Sequence, residues 1–166
     1  MQYIQAPSEY TSDQPSVFLA GGIGGAPHWQ NRLAGMLCDT DWAVINPRRE
    51  HYPDNEPSSE RDQIAWEYRH LQRASLIAFW FPAKALCPIT LFELGTASQM
   101  GKPIIVGAHP SYFKRFNVQI QLRLRRPEVR MVETLGQLAG RIAQAYPAEG
   151  DRFTATQAKE PKPCVH

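Results

Sequence analysis

The feature that most restricts the fold is an alternation of short apolar runs with stretches of helical spacing. Residues 16–20, 42–46, 75–81 and 103–107 read as buried strands, and 129–132 as a weaker fifth. Tyr3 and Ile4 add a candidate for a short edge strand. Between these runs, 27–37, 58–73, 89–100, 118–125 and 135–145 carry helical patterns. Pro27 suits the first position of a helix, Ser58 or Ser59 can cap the next, and Gly101 suits the stop after the third. The inner stripes are expected at Trp29, Leu33, Met36 and Leu37, then at Ile64, Tyr68 and Leu71, then at Leu91, Leu94 and Ala97. Such alternation implies an α/β fold: a five-stranded, mostly parallel sheet covered by helices on both faces.

A chain of 166 residues is long enough for one domain with a real core. From Pro147 onward the composition turns polar and proline-bearing, so the domain is expected at 1–149 and a flexible or loosely docked tail at 150–166. A net charge of +2 gives no case for a nucleic-acid or membrane partner. The longest apolar run, 76–81, is far too short to span a bilayer. Residues 1–5 lack the basic region and long apolar stretch of a secretory signal. Cys38, Cys87 and Cys164 are odd in number, widely spaced and without a CxxC, which fits a reducing cytoplasm.

In parallel sheets of this kind, ligands sit beyond the carboxyl ends of the strands. Here that edge is expected to carry the loops 21–27, 46–57, 82–89 and 107–116 and the helix starts that follow them. The first loop, Gly21-Gly22-Ile23-Gly24-Gly25, brings bare backbone N–H groups toward a phosphate, sugar or carbonyl. Equally, it reads as a tight turn needing positive φ. It is not a dinucleotide fingerprint, because Pro27 stands where the third glycine belongs and Asn46 and Pro47 replace the acid after the next strand. No P-loop lysine follows either.

Glu93 is the most conspicuous carboxylate, since it lies in a mostly apolar helix start after the strand at 75–81. A helix N-terminus favours an ionised carboxylate, and an oriented, partly desolvated one can act as a nucleophile. Asp62 and Glu67 lie on the preceding helix, beside Trp66, an aromatic able to stack on a base or sugar. Their plainer readings are helix capping for Asp62 and a solvated face with Arg69 or His70 for Glu67. Arg48 and Arg49 suit an anionic group or ordinary surface charge. Lys114, Arg115, Arg123, Arg125, Arg126 and Arg130 read as a solvated or subunit-contact face, with phosphate binding second. The five histidines show no metal spacing, no GxSxG elbow is present, and Cys87 reads as a packed small residue. No metal and no cofactor is expected.

Taken together in order, Phe18-Leu19-Ala20-Gly21-Gly22, His28-Trp29, Ile64-Ala65-Trp66-Glu67, 74–80 and Glu93-Leu94-Gly95-Thr96-Ala97 resemble the nucleoside 2-deoxyribosyltransferases and their relatives, over roughly 16–145. The resemblance implies a flavodoxin-like, three-layer fold with a five-stranded parallel sheet. It implies cleavage of the N-glycosidic bond of a deoxynucleoside, with Glu93 attacking C1′ and a second base accepting the sugar. Glu67, with Asp62 in reserve, is the implied acid at the base, and Gly21 and Gly22 line the sugar or base pocket. Homo-oligomers whose sites are completed by a neighbour are also implied. The sequence departs from the family in two places. Residues 82–92 contain no acid, so Thr90 stands as the hydroxyl contact, and a tyrosine after the first strand is missing, leaving Trp29 or His28 in its place. Relatives that hydrolyse nucleotides with water as acceptor, whose bound 5′-phosphate Arg48, Arg49 and the glycine loop would suit, are one alternative; a non-catalytic nucleotide-sensing module is another.

Overall fold

The computed structural model of the chain describes residues 1–50 and 57–146. Its elements run β1 (Gln2–Gln5), β2 (Ser16–Gly21), α1 (Trp29–Met36), β3 (Ala43–Asn46), α2 (Pro57–Arg73), β4 (Leu76–Phe81), α3 (Pro88–Gln99), β5 (Ile104–Ala108), α4 (Arg115–Arg125) and α5 (Leu135–Gln144). The five strands are all parallel, in the spatial order β1-β3-β2-β4-β5. Every residue of β4 is buried, as is every residue of β2 except Gly21. Continuous burial of that kind requires cover on both faces. On one face α1 packs on α5. On the other α3 packs on α4, and Trp66 of α2 lies over Phe18 of β2 with ring centroids 6.2 Å apart. The central order β3-β2-β4-β5 is the flavodoxin-like winding expected from the resemblance.

The fifth strand is the edge candidate at Tyr3 and Ile4 and not the run at 129–132. Residues 129–132 contribute only a single bridge, Gly107 to Val132, with two hydrogen bonds to Val106 and Ala108. A turn closed by Val129 N–H on Arg126 O precedes it, and Thr134 caps α5 two residues later, so no ladder has room to grow. The fifth place is filled by β1, which pairs with β3 from Gln2–Ala43 to Gln5–Asn46 at the opposite edge. Only Ile4 of β1 is buried, so its apolar pattern is minimal. Asn46 makes up the difference: fully buried, it donates to Tyr3 Oη (2.7 Å) and Asn31 Oδ1 (3.2 Å) and accepts from Arg48 N–H.

Helix α2 faces inward on a different side from the one its apolar residues suggested. Ile64 and Tyr68 are 59% and 64% exposed, and Leu71 is only partly buried. The buried side is Ser59, Gln63, Trp66 and His70. Gln63 Nε2, Trp66 Nε1 and the His70 ring nitrogens are tolerated inside because they find partners. Gln63 Nε2 donates to Pro47 O, Trp66 Nε1 to Ser8 O, and His70 lies between Trp66 O (2.8 Å) and Tyr10 N (3.1 Å). Met36, expected inside on α1, is likewise exposed, while Trp29, Leu33 and Leu37 are buried as read. Helix α2 begins at Pro57, so Ser58 and Ser59 stand inside its first turn and not at the expected cap; the loop at 51–56 and the tail at 150–166 lie outside the described residues.

Glycine is required at the end of β2 by space rather than by φ. A Cβ on Gly21 would lie 2.4 Å from Trp29 Cζ2 and 2.5 Å from the Trp80 carbonyl oxygen. A backbone oxygen in a paired strand cannot yield as a flexible side chain does. Gly21→Ala is therefore expected to destabilise the fold by about 1–3 kcal/mol through overpacking. Urea unfolding checks this, as a lower midpoint at unchanged slope.

Candidate active site

The chain leaves β2 through α1 toward β3, and leaves β4 through α3 toward β5, on opposite sides of the sheet. A crevice opens where such paths diverge, at the carboxyl ends of the strands. Here it is a cleft of about 530 Å³, within the roughly 300–1,000 Å³ usual for small-molecule sites. Phe18 and Ala20 of β2 and the glycine loop form part of its lining; Lys84, Ala85, Leu86 and Cys87 of the β4–α3 loop form another part. Glu67 of α2, with Thr90 and Glu93 of α3, completes it.

The glycine loop approaches α3 closely. A Cβ on Gly22 would lie 2.6 Å from Cys87 Sγ and 2.9 Å from Ala85 Cβ. Within the loop only Gly25 has positive φ, at 68°, so the reading as a left-handed turn holds for that residue and not for Gly21 or Gly22. Trp29 lies beneath the loop: its ring abuts Gly21 and its Nε1–H donates to Gly22 O at 3.0 Å. It faces a second groove, with Trp80, and supports the loop instead of lining the cleft. Arg48 also acts on the loop from outside. Its guanidinium donates to Ala26 O and to Pro27 O (3.0 Å), which clamps the loop's far end.

Other expected residues fall elsewhere. Trp66 is 2% exposed and stacked on His70, centroids 3.9 Å apart, so its ring belongs to the core and has no face for a base. Asp62 is exposed on α2 and does not line the cleft. Arg69 pairs with Glu9 and not with Glu67. Glu67 instead accepts from Gln63 Nε2 at 2.7 Å, and the Arg49 guanidinium acts on it electrostatically.

Glu93 is not at the helix start. Because α3 begins at Pro88, Glu93 stands in the second turn, beyond the free N–H groups of the first. The dipole argument for an ionised carboxylate therefore does not reach it, since that effect fades within one turn. Burial governs instead. Desolvation, then the nearby Glu67, pushes the Glu93 carboxyl up from an ordinary 4.5 to about 8. Glu67 is also raised, by desolvation against the opposing effects of Gln63 and Arg49. Two coupled carboxyls in one cleft titrate as a pair and hold a proton near neutrality.

Two lining residues, Lys84 and Cys87, and one that supports the wall from behind, Tyr112, carried no decisive signal in the sequence. Lys84 reads as part of a turn, yet it is an exposed cation on the cleft wall. Cys87 is a left-handed residue (φ 54°, ψ 43°) at the N-cap of α3, immediately before Pro88. Tyr112, from beyond β5, donates its hydroxyl to Leu86 O at 3.2 Å and stacks on Phe81. A glycine-like conformation at Cys87 and a contact 26 residues away leave no trace in periodicity. No group of three or more metal-ligating side chains is found among the described residues, and no described helix is long and apolar enough to cross a membrane.

Comparison with known proteins comes to the same family. The family model described as "Nucleoside 2-deoxyribosyltransferase like" matches residues 14–112. Among solved structures, the 2-deoxyribosyltransferase of the psychrotolerant bacterium Bacillus psychrosaccharolyticus superposes with a TM-score of 0.56 at 13% identity, over 75% of this chain and 90% of that one. A conserved protein from Enterococcus faecalis V583 gives a TM-score of 0.56 at 13% identity, over 79% of this chain and 98% of the other. At that identity the structural likeness shows the fold. No curated protein matches by sequence.

The raised Glu93 carboxyl has a consequence for stability. Folded protein keeps this proton up to about pH 8, whereas an unfolded chain releases it near 4.5. The folded state thus binds the extra proton between those values, and stability falls as pH rises through that window. Glu93→Gln, which keeps the neutral shape, is expected to melt several degrees above the unsubstituted protein at about pH 9 and together with it at about pH 4. Scanning calorimetry at the two pH values measures the difference. Glu67→Gln, by removing the like charge, is expected to bring the Glu93 titration downward.

Proposed function

The chain belongs to the nucleoside 2-deoxyribosyltransferase-like family, and from that premise we propose that it cleaves the N-glycosidic bond of a (deoxy)nucleoside through a covalent Glu93 ester and passes the sugar to a second base. One observation carries the reading: Glu67 and Glu93 line the same cleft and are electrostatically coupled, with proton affinities raised by burial. The reactive form has one proton on the pair, carried by Glu67, with Glu93 ionised. The Glu93 carboxylate attacks C1′ as the C1′–N bond breaks, and Glu67 gives its proton to the departing nitrogen. Glu67, now ionised, removes the proton from the incoming base as that base attacks C1′ and frees Glu93. Overall retention follows from two displacements on the same centre.

Burial serves this chemistry in two ways. It raises Glu67, which an acid at a leaving base requires. It also strips water from Glu93, whose ionised form then interacts strongly with the cationic sugar of the transition state. The buried Thr90 hydroxyl and the glycine loop are the nearest groups for orienting the sugar. Hydrolysis differs only in the acceptor, because water can deliver its proton to Glu67 in the same way.

A second copy of the chain is part of the proposal. Tyr68 of α2 and Phe92 and Met100 of α3 are exposed around an apolar groove that also includes Glu93. Exposed apolar groups contiguous with a site mark an interaction surface. Sedimentation of the protein is expected to give an oligomer, and Phe92→Asp to shift it toward the monomer.

Incubation with a deoxynucleoside and a second free base is expected to yield the exchanged nucleoside. Free sugar as the sole product favours water as the acceptor, and binding without turnover favours a sensing module. Glu93→Ala is expected to lower kcat by at least about 10⁴-fold. Full activity in that variant overturns the nucleophile assignment. Mass spectrometry of the quenched reaction is expected to show one pentosyl group on the peptide containing Glu93.

A further inference from the structure

Cys87 sits at the meeting point of three chain segments. Its Sγ accepts from the Gly22 backbone N–H of the glycine loop and donates to Ala85 O at 3.6 Å. Its carbonyl accepts the first hydrogen bond of α3, from Leu91 N–H at 3.0 Å. The preceding carbonyl, Leu86 O, is held by Tyr112 Oη. The thiol is 5% exposed and lines the cleft wall.

The backbone at this point is unusual. Cys87 is the only non-glycine residue with positive φ among the described residues, and proline follows it. A residue before proline favours extended conformations, and a non-glycine residue in the left-handed region is strained. The side chain is therefore not there for ease of turning, which glycine would provide better. It fills the gap against Gly22, where no Cβ fits.

We propose that Cys87 is a positioning residue whose thiol ties the glycine loop to the start of α3, so that one side chain sets the width of the cleft and the placement of Glu93 within it. The proposal rests on Glu93 as the nucleophile. The sequence of contacts is short: Gly22 N–H to Sγ, Cys87 O to Leu91 N–H, then one half-turn of α3 to Glu93. Losing the sulfur leaves the Gly22 N–H without its acceptor and opens a gap beside the cleft. Misplacement of a reacting group by a fraction of an ångström lowers turnover more than it weakens binding.

Three variants test this. Cys87→Ala is expected to lower kcat about tenfold with KM within about twofold. Cys87→Ser, whose hydroxyl can accept from Gly22 N–H, is expected to recover kcat to within about threefold of the unsubstituted protein. Cys87→Gly relieves the backbone and is expected to lose kcat as Cys87→Ala does, without melting earlier than Cys87→Ala. A second readout needs no turnover: the carboxyl carbon of Glu93, followed by NMR against pH, with Glu93→Gln giving the assignment. In Cys87→Ala this titration is expected to move toward the ordinary carboxylate range as water enters the gap. Unchanged kcat in Cys87→Ala overturns the proposal. So does equal loss in Cys87→Ser and Cys87→Ala in step with their melting temperatures. Should no nucleoside be turned over, the reaction proposed above fails by itself and the NMR decides this one: an unmoved Glu93 titration overturns it, a moved one supports it.

Discussion

The close approach of β2 and β4 at their carboxyl ends is the constraint on which the rest depends. Gly21 pairs with Trp80 in register, and the space a Cβ would need is taken by the Trp80 carbonyl and the Trp29 ring. From that point the two strands send their loops apart, one into the glycine loop and one toward Cys87. The next residue, Gly22, closes against Cys87 and Ala85 in the same manner. The cleft therefore has walls fixed by close contact of glycine backbone with a carbonyl, a packed ring and small side chains, which leaves less freedom than walls made of long side chains. Arg48 and Trp29 secure the same loop from behind.

A cleft with such walls is dry enough to change the chemistry of the carboxyls within it. Glu67 and Glu93 come from separate helices, and Glu67 accepts a hydrogen bond from the neutral Gln63 amide. Their mutual repulsion is relieved by a proton, and Arg49 with Gln63 biases Glu67 downward relative to the unopposed effect of burial. Glu93 receives no such relief. In the empty site the pair shares a proton, and the proposed displacement needs it on Glu67. Bringing a sugar with partial positive charge at C1′ beside Glu93 favours that arrangement, because the cationic centre stabilises the ionised carboxyl next to it. In the proposed reaction, substrate binding and the placement of the proton are then coupled.

Strand–helix alternation made the sheet and four of its strands legible, because strands buried on both faces must be nearly continuous in apolar residues. The fifth place belongs to the edge candidate at Tyr3 and Ile4 and not to 129–132, for a physical reason. β1 holds its place through ladder hydrogen bonds and the Asn46–Tyr3 contact, with a single buried apolar residue, while 129–132 has the apolar residues but no room to pair. Helix α2 shows the same limit. Its inner side is polar and satisfied by distant carbonyls such as Pro47 O and Ser8 O, which no local pattern records. At the site, Glu67 and Glu93 stood out as carboxyls on helices entering a strand edge. The electrostatics did not, since α3 begins at Pro88, within a residue of the expected start, and a carboxyl five residues further on lies beyond the reach of the helix dipole.

The site is also where the fold departs from its own local preferences. A carboxyl is kept in a place that favours its neutral form, and a cysteine is kept in a backbone region suited to glycine. Both features lower stability, and neither is needed to hold the sheet, whose strands are paired through backbone and packed by Phe79, Phe81, Leu19 and their neighbours. Their locations coincide on one cleft wall, within seven residues of each other. A chain under no functional demand would relieve them separately, with glutamine or leucine at 93 and glycine or asparagine at 87. Their joint presence is understandable if the same geometry must desolvate a carboxylate and still hold it in line with a bound sugar, which requires a rigid entry to α3 as much as it requires the acid.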